Sequence, residues 1–261
     1  MTTTPPRTAA APAATRAPWR PPLPATLVVG VLLLVATVLV TVTIGPADIA
    51  VADVARSIAG HLGLGPVAGA DGGVPVLTDA IVWELRLPRV LTGAAVGAGL
   101  ALAGAVMQSL TRNPLADPYL LGLSSGASLG AVAVLVGSAV RLDAFAFGDT
   151  AAAALGIDVD RTRWVLMTLV ALLTGAMVAV SGSIGFVGLV LPHAVSALTG
   201  PAHRRLLPVA AVVGAIFLVW ADTGARTVFD PRELPVGIVT ALIGVPVFAV
   251  LLRRGRGSAW T

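Results

Sequence analysis

The feature that most constrains this chain is the stretch 84–130, ELRLPRVLTGAAVGAGLALAGAVMQSLTRNPLADPYLLGLSSGASLG. No charge falls between Val90 and Leu110, Arg112-Asn113-Pro114 breaks the run, and it resumes uncharged at Tyr119. Crossing ~30 Å of hydrocarbon needs a helix that satisfies its own backbone, so the stretch predicts two membrane spans joined by a turn. Gly93, Gly97, Ala101 and Ala105 recur every fourth residue, as do Gly122, Gly126 and Gly130. Small residues at that spacing let a second backbone approach closely. A lone anchor has no use for such stripes, so they predict the wall of a multi-helix membrane protein.

Composition agrees. Of 261 residues, 56% are hydrophobic and only 11% charged, more apolar mass than one soluble core of this length can bury. The expected fold class is therefore an all-α integral membrane protein. The absence of cysteine excludes disulfides, thiolate metal sites and redox pairs. All 17 basic residues are arginine, with no basic run interleaved with aromatics, so no nucleic-acid partner is expected.

In chain order, residues 1–24 are rich in Pro, Ala and Thr and read as a disordered cytoplasmic tail. Ala25 to Ile44 is uncharged and long enough to span; it exceeds a signal-peptide core and is read as a retained first helix. Residues 45–83 read as a solvated loop or interfacial helix. Spans follow at 90–110, 119–140 and from Trp164 to Val180, with Thr150 to Leu155 predicted as a short surface helix ended by Gly156. Ser183 to Gly200, with Pro192-His193 at its middle, is either a short crossing or a re-entrant segment. Spans at 206–221 and 234–252 complete about seven apolar segments in one transmembrane unit, 25–256, before a short tail, 257–261.

Both ends are arginine-rich and should be cytoplasmic, so Arg253, Arg254 and Arg256 predict an internal carboxyl terminus. An odd number of crossings cannot place both ends on one side. One segment must fail to cross, and a re-entrant Ser183 to Gly200 would satisfy the arginines while leaving 141–163 outside.

The stretch LRLPRVLTGAAVGAGLALAGAVMQSLTRNPLADPYLLGLSSGASLGA resembles the second and third helices of FecCD- or BtuC-type permeases, the membrane subunits of ABC importers for iron–siderophores, haem and cobalamin. SGSIGFVGLVLPHAVSALTGPAHRRLLP, the Ala221-Asp222 pair and ELPVGIVTALIGVPVFAVLLRR are similar to that family's carboxyl-terminal helices, in the same order. The resemblance implies a BtuC-like bundle. It also implies a shortened one: about three central helices of the family's roughly ten are missing near 141–144, which explains the parity conflict. An internally deleted, non-transporting remnant is the alternative to a working permease.

The resemblance implies roles for particular residues. Phe147, Gly148, Asp149, Ala152, Leu155 and Gly156 fall in the family segment that docks into the ATPase subunit. Arg86, Arg89 and Arg226 match outward-facing arginines that pair with carboxylates of an extracytoplasmic binding protein, a role that suits a permanently charged, forked guanidinium. They could equally anchor helix ends. Ser124, Ser125, Gly126 and Ser128 are expected along the translocation path. Arg112-Asn113-Pro114 with Asp117-Pro118 reads as a structural turn. His193 lacks a second ligand at metal spacing and reads as a packing residue, so no metal is expected. A chain without lysine holds no Walker motif, so it is no enzyme, binds no cofactor, and leaves ATP to a partner subunit.

The expectation is thus a multi-pass subunit of the cell membrane that carries iron–siderophore complexes. Its partners would be a second permease subunit (homo- or heterodimer), ABC ATPases and a binding protein. Loss of three helices predicts that Gly93/Gly97 and Gly122/Gly126 meet lipid, that 141–163 lies on the wrong side, and that import fails.

Overall fold

The structure is a computed structural model and describes residues 21–117, 128–229 and 232–257. Residues 1–20 and 258–261 of the expected tails lie outside it, as do Tyr119, Gly122 and Gly126. Every regular element among the described residues is helical.

Helix α1, Leu23–Thr43, takes Pro24 in its first turn, where a missing N–H costs nothing. Val28, Val29, Leu32 and Leu33 face outward on it, as lipid-facing residues should. The polar stretch after it forms α2, Val51–His61, which buries Val54 against Val42 near the end of α1 and turns Ser57 to Asp79. α3, Val76–Ala80, runs through a π-helical turn, Ile81–Arg86, into α4, Leu87–Thr111. The π turn has a local cause. Pro88 cannot donate to the carbonyl of Glu84 and its ring would clash there; the backbone widens instead, and Leu87 N–H bonds back to Val82 O. The helix expected from residue 90 therefore begins at Val76.

The remaining elements are α5, Ser128–Gly137; α6, Ala139–Ala146; α7, Asp149–Ala154; α8, Val159–Ser181; α9, Val187–Thr199; α10, His203–Thr227; and α11, Val236–Gly257. Contacts at their ends define two faces. Arg205 donates to Pro21 O, Arg112 and Arg163 to Asp149, and His203 N–H to Asp143, so the starts of α1, α8 and α10 share a face with the end of α4. On the opposite face Arg226 donates to Thr41 O and Arg89 to Asp222, joining the ends of α1 and α10 to the start of α4. The first face carries Arg112, Arg141, Arg161, Arg163, Arg204 and Arg205.

This arrangement resolves the parity conflict differently from the expectation. α8 ends on the opposite face and α10 starts on the arginine-rich one, so the segment between them crosses. It does so as an extended piece, 182–186, followed by α9, whose 13 residues reach only about 20 Å. Of the run 119–140 the described part is α5, whose ten residues reach only about 15 Å and do not cross. Asn113 lies on the arginine-rich face, and Ser138 and Arg141 lie there again beside Asp158 and Arg161 at the start of α8. Among the described residues six segments run between the two faces, four of them helices long and apolar enough to cross a membrane, and residues 141–163 lie on the arginine-rich face with both described ends.

α4 is the hub, touching α8, α9 and α10 along its length. The predicted stripe makes these contacts. A Cβ on Gly97 would stand 2.1 Å from Gly214 O, and one on Gly214 would stand 2.4 Å from Gly97 O and 2.6 Å from the Ala101 Cβ. Two turns after Gly97, Gly104 meets α9, where an added Cβ would lie 1.9 Å from Gly188 O. Gly97 is buried against α10 rather than facing lipid, contrary to the expectation for a shortened chain.

Candidate functional site

On the arginine-rich face the chain turns from α6 into α7 at Gly148, whose φ of 103° suits glycine. Asp149 opens α7, and its Oδ1 accepts from Arg112 and from Arg163, both at 2.9 Å. One carboxylate thereby ties α7 to the end of α4 and to the first turn of α8. Arg112 itself caps α4 in the left-handed region (φ 50°), and Asn113 Oδ1 accepts from Leu115 N–H, the local bond expected of that turn. Gly156 (φ 78°) lets the chain leave α7, and Asp158 caps α8 by accepting from Arg161 N–H at 3.0 Å. α6 is fixed as well: Asp143 Oδ1 accepts the His203 backbone N–H and lies 2.7 Å from His203 Nδ1.

The result is a short helix braced to α4, α8 and, through α6, to α10. Phe147 and Leu155 flank it, 81% and 71% exposed. Ala152, expected at a docking surface, is fully buried (0%) because it is the residue on which α7 rests. Of the six residues expected to dock, Phe147 and Leu155 face out, Gly148 and Gly156 make the turns, Asp149 is the brace and Ala152 the inner contact. A braced helix with two apolar side chains at its ends can receive a push and pass it on as a rigid body.

The opposite face gathers Arg86, Arg89 and Arg226, though not as three outward cations. Arg86 is 7% exposed and donates to Val42 O, Thr43 O and Ala47 O at 2.9 to 3.0 Å. Arg226 donates to Thr41 O and Ile44 O. Together they satisfy the carbonyls left over at the end of α1 and place positive charge at its negative dipole end. Gly45 makes room, since a Cβ there would lie 2.7 Å from the Arg86 guanidinium. The placement of Arg86 and Arg226 therefore corrects the outward role expected for them: the π turn and the packing of α10 on α1 turn both inward.

Arg89 is different. It forks onto Asp222 at 3.1 Å through two nitrogens and reaches Glu233 at 3.0 Å, remaining partly exposed. These pairs join α4, α10 and the link before α11 at the rim of a cavity of about 490 Å³ that Ser181, Ile184 and Pro235 also line. Sequence reading singled out Arg89 and Asp222 separately; nothing in their spacing shows that they pair across two helices.

Between the faces, the extended segment and α11 border an apolar cavity of about 730 Å³, lined by Ser183, Phe186, Ile238 and Leu242. Phe186 holds the left-handed region (φ 69°), a strained state for a non-glycine residue, and its side chain packs on Gly244. Gln108 is a residue the sequence reading passed over. Pro192 removes the N–H that Gly188 O would otherwise accept, and Gln108 Nε2 donates to Gly188 O at 3.3 Å and to Leu189 O at 2.9 Å. A proline four residues after a helix's first glycine, plus one amide in a facing apolar span, was the available signal.

Ser124, Ser125 and Gly126 lie outside the described residues, and Ser128 opens α5 with its side chain outside the description. His193 sits half-buried on α9, and no group of three possible metal ligands occurs among the described residues.

Comparison with known proteins now bears on this geometry. The FecCD transport family matches residues 31–142 and 134–254, two runs that meet where α5 gives way to α6. The chain is similar to the cobalamin import system permease protein BtuC of Halobacterium salinarum, at 34% identity over 347 residues, covering 85% of this chain and 94% of that protein. It is also similar to the Fe(3+)-citrate import system permease protein YfmD of Bacillus subtilis, at 33% identity, covering 67% of this chain and 82% of that one. Among solved structures, one describing an inward-facing metal-chelate type ABC transporter superposes with a TM-score of 0.74 at 26% identity, covering 88% of this chain and 99% of that one. The haloarchaeal alignment runs over 347 residues against the 261 of this chain, so that relative carries internal sequence absent here. With its helical bundle, its braced loop and both runs matched, the chain belongs to the FecCD transport family and is a permease subunit of an ABC importer, with no ATP-hydrolysing machinery of its own.

Proposed function

We propose that this chain translocates iron–siderophore complexes across the cell membrane, as one of two permease subunits served by separate ATPases and an extracytoplasmic binding protein. The observation that carries the reading is the position of the braced loop. Arginine enrichment marks a cytoplasmic face, and Phe147 and Leu155 stand on the face that holds Arg112, Arg141, Arg163, Arg204 and Arg205. An ATPase engaging those side chains would move α7, and the Asp149 pairs would carry the motion to α4 and α8. α4 grips α9 and α10 through glycine contacts, so the shift reaches the Arg89 pairs at the outer mouth. Arg89, partly exposed, is the arginine a binding-protein carboxylate can reach, in competition with Asp222 and Glu233. Metal-chelate cargo is favoured by the similarity to a Fe(3+)-citrate permease and to a metal-chelate type transporter, and cobalamin is the neighbouring choice.

A second reading has its own support. The two-run family match and the internal sequence missing relative to the haloarchaeal protein fit a chain shortened near 141–144, whose path is incomplete. Expression in a strain that lacks its own permease but keeps the ATPase and binding protein separates the two. Uptake of iron-loaded siderophore supports the importer; ATPase association without uptake supports the remnant; uptake of cobalamin alone reassigns the cargo.

A further inference from the structure

The arginine-rich face holds a third cavity, about 550 Å³, beside the exit of the braced loop. It lies between the end of α5 and the first turns of α8, lined by Val134, Ser138, Arg141, Gly156, Ile157, Asp158, Arg161, Thr162, Val165 and Leu166. Its two cations are uncommitted: among the described residues, the side chains of Arg141 and Arg161 make no hydrogen bond or ion pair, whereas Arg112 and Arg163 nearby share Asp149. The cavity's carboxylate, Asp158, already accepts the Arg161 backbone N–H as the α8 cap. Two exposed guanidiniums against one carboxylate leave the site net positive.

Its walls change character with depth in the membrane. Arg141, Arg161 and Thr162 form a polar end, while Val134 and Val165, each 47% exposed, open the other side toward lipid. Trp164, 73% exposed beside Val165, marks this level as the membrane–water interface, where indole rings concentrate. A free inorganic anion or a nucleotide would leave the apolar rim unused. A phospholipid phosphate between the two arginines, with its acyl chains running along Val134 and Val165, uses both parts.

We propose that this cavity binds the phosphate of an anionic phospholipid of the cytoplasmic leaflet, held by Arg141 and Arg161. The inference rests on membrane insertion with this face inward and is independent of cargo and of transport competence. The lipid would add to the contact that α5 makes with α8 and would abut Gly156 and Ile157 at the exit of the braced loop.

The test uses the purified full chain in neutral detergent, with native mass spectrometry of added phosphatidylglycerol or phosphatidylcholine. Wild type should retain phosphatidylglycerol preferentially, and R141A with R161A should weaken that retention about tenfold, as expected for losing two interfacial cations, without changing phosphatidylcholine. The charge-retaining pair R141K with R161K should keep most of the preference, and R253A, on the same face but outside the cavity, should leave it intact. Equal retention of the two lipids by wild type overturns the proposal without any variant, so a variant that fails to fold does not shelter it. An unchanged preference in the alanine pair also overturns it. Displacement of the lipid by millimolar inorganic phosphate would show a free-anion site and overturn the lipid assignment.

Discussion

At the scale of the residue, the chain works by close approach rather than by charge. Gly97 and Gly214 leave no room for a methyl group between α4 and α10, and Gly104 leaves none between α4 and α9. Backbone stands on both sides of each contact, so a larger residue must separate helices rather than rotate a side chain. Gly104→Val should therefore lower the unfolding midpoint in detergent, with a cost of at least the ~1–3 kcal/mol typical of overpacking, while Gly137→Val, at a position with open space around it, should change little beyond helix propensity. Equal midpoints for the two variants would contradict the packing described. Gln108 gives a finer case. Its amide replaces the donor that Pro192 denies to Gly188 O, so Gln108→Leu should cost about 1 kcal/mol, within the range for interhelical hydrogen bonds in membranes. Pro192→Ala restores the N–H, and in a double-mutant cycle the Gln108→Leu penalty should shrink by half or more. Additive penalties would show that the amide serves some other partner.

At the scale of the element, hydropathy located the spans well. It placed α1 closely, the middles of α8 and α10 with ends up to six residues short, and most of α4, because those helices are uncharged over most of a bilayer's thickness. What it could not supply was direction. An apolar run such as 119–140 reads the same whether it crosses or returns, and only the meeting of Ser138 and Arg141 with Asp158 and Arg161 puts its end on the arginine-rich face. Conversely, Ser183 to Gly200 looked too short and too broken to cross, and it crosses by adding an extended piece to α9. The small-residue stripe was legible as a contact surface, but its partners, α9 and α10, were not. The arginines of the mouth were legible as a group, yet burial of Arg86 and Arg226 depends on carbonyls at the end of α1, far away in sequence. Absence of native cysteine makes the topology directly testable. Leu155→Cys should react with an impermeant maleimide only after the membrane is opened, and Leu64→Cys, exposed in the loop after α2, should react from outside in intact cells. Reaction of Leu155→Cys from outside would reverse the faces and exclude a cytoplasmic ATPase as its partner.

At the scale of the whole molecule, the expectation of failed import rested on two arguments. The first was topological, that loss of an odd number of helices would carry residues 141–163 to the wrong side. That argument does not hold, since the loop shares its face with both described ends. The second was packing, that bared small residues would meet lipid. Gly97 and Gly104 are filled by Gly214 and Gly188, so the hub of the bundle is closed in this shorter chain. What remains open is the apolar cavity between the extended segment and α11, bordered by Phe186 and Leu242. A chain with a braced loop, a closed hub and one open flank should bind its ATPase whether or not it completes a path. Replacing Phe147 and Leu155 by Asp should abolish co-purification of the ATPase, a loss of at least tenfold, because charge would replace both apolar side chains at the docking contact proposed for them. Ala152→Ser, hidden beneath α7, should leave the interface chemistry unchanged and act only through loop stability. ATPase retention by the Phe147→Asp, Leu155→Asp double variant would separate the loop from the ATPase altogether. Loss of retention, joined to siderophore uptake by the wild-type chain, would show that six crossings carry both the coupling and the path.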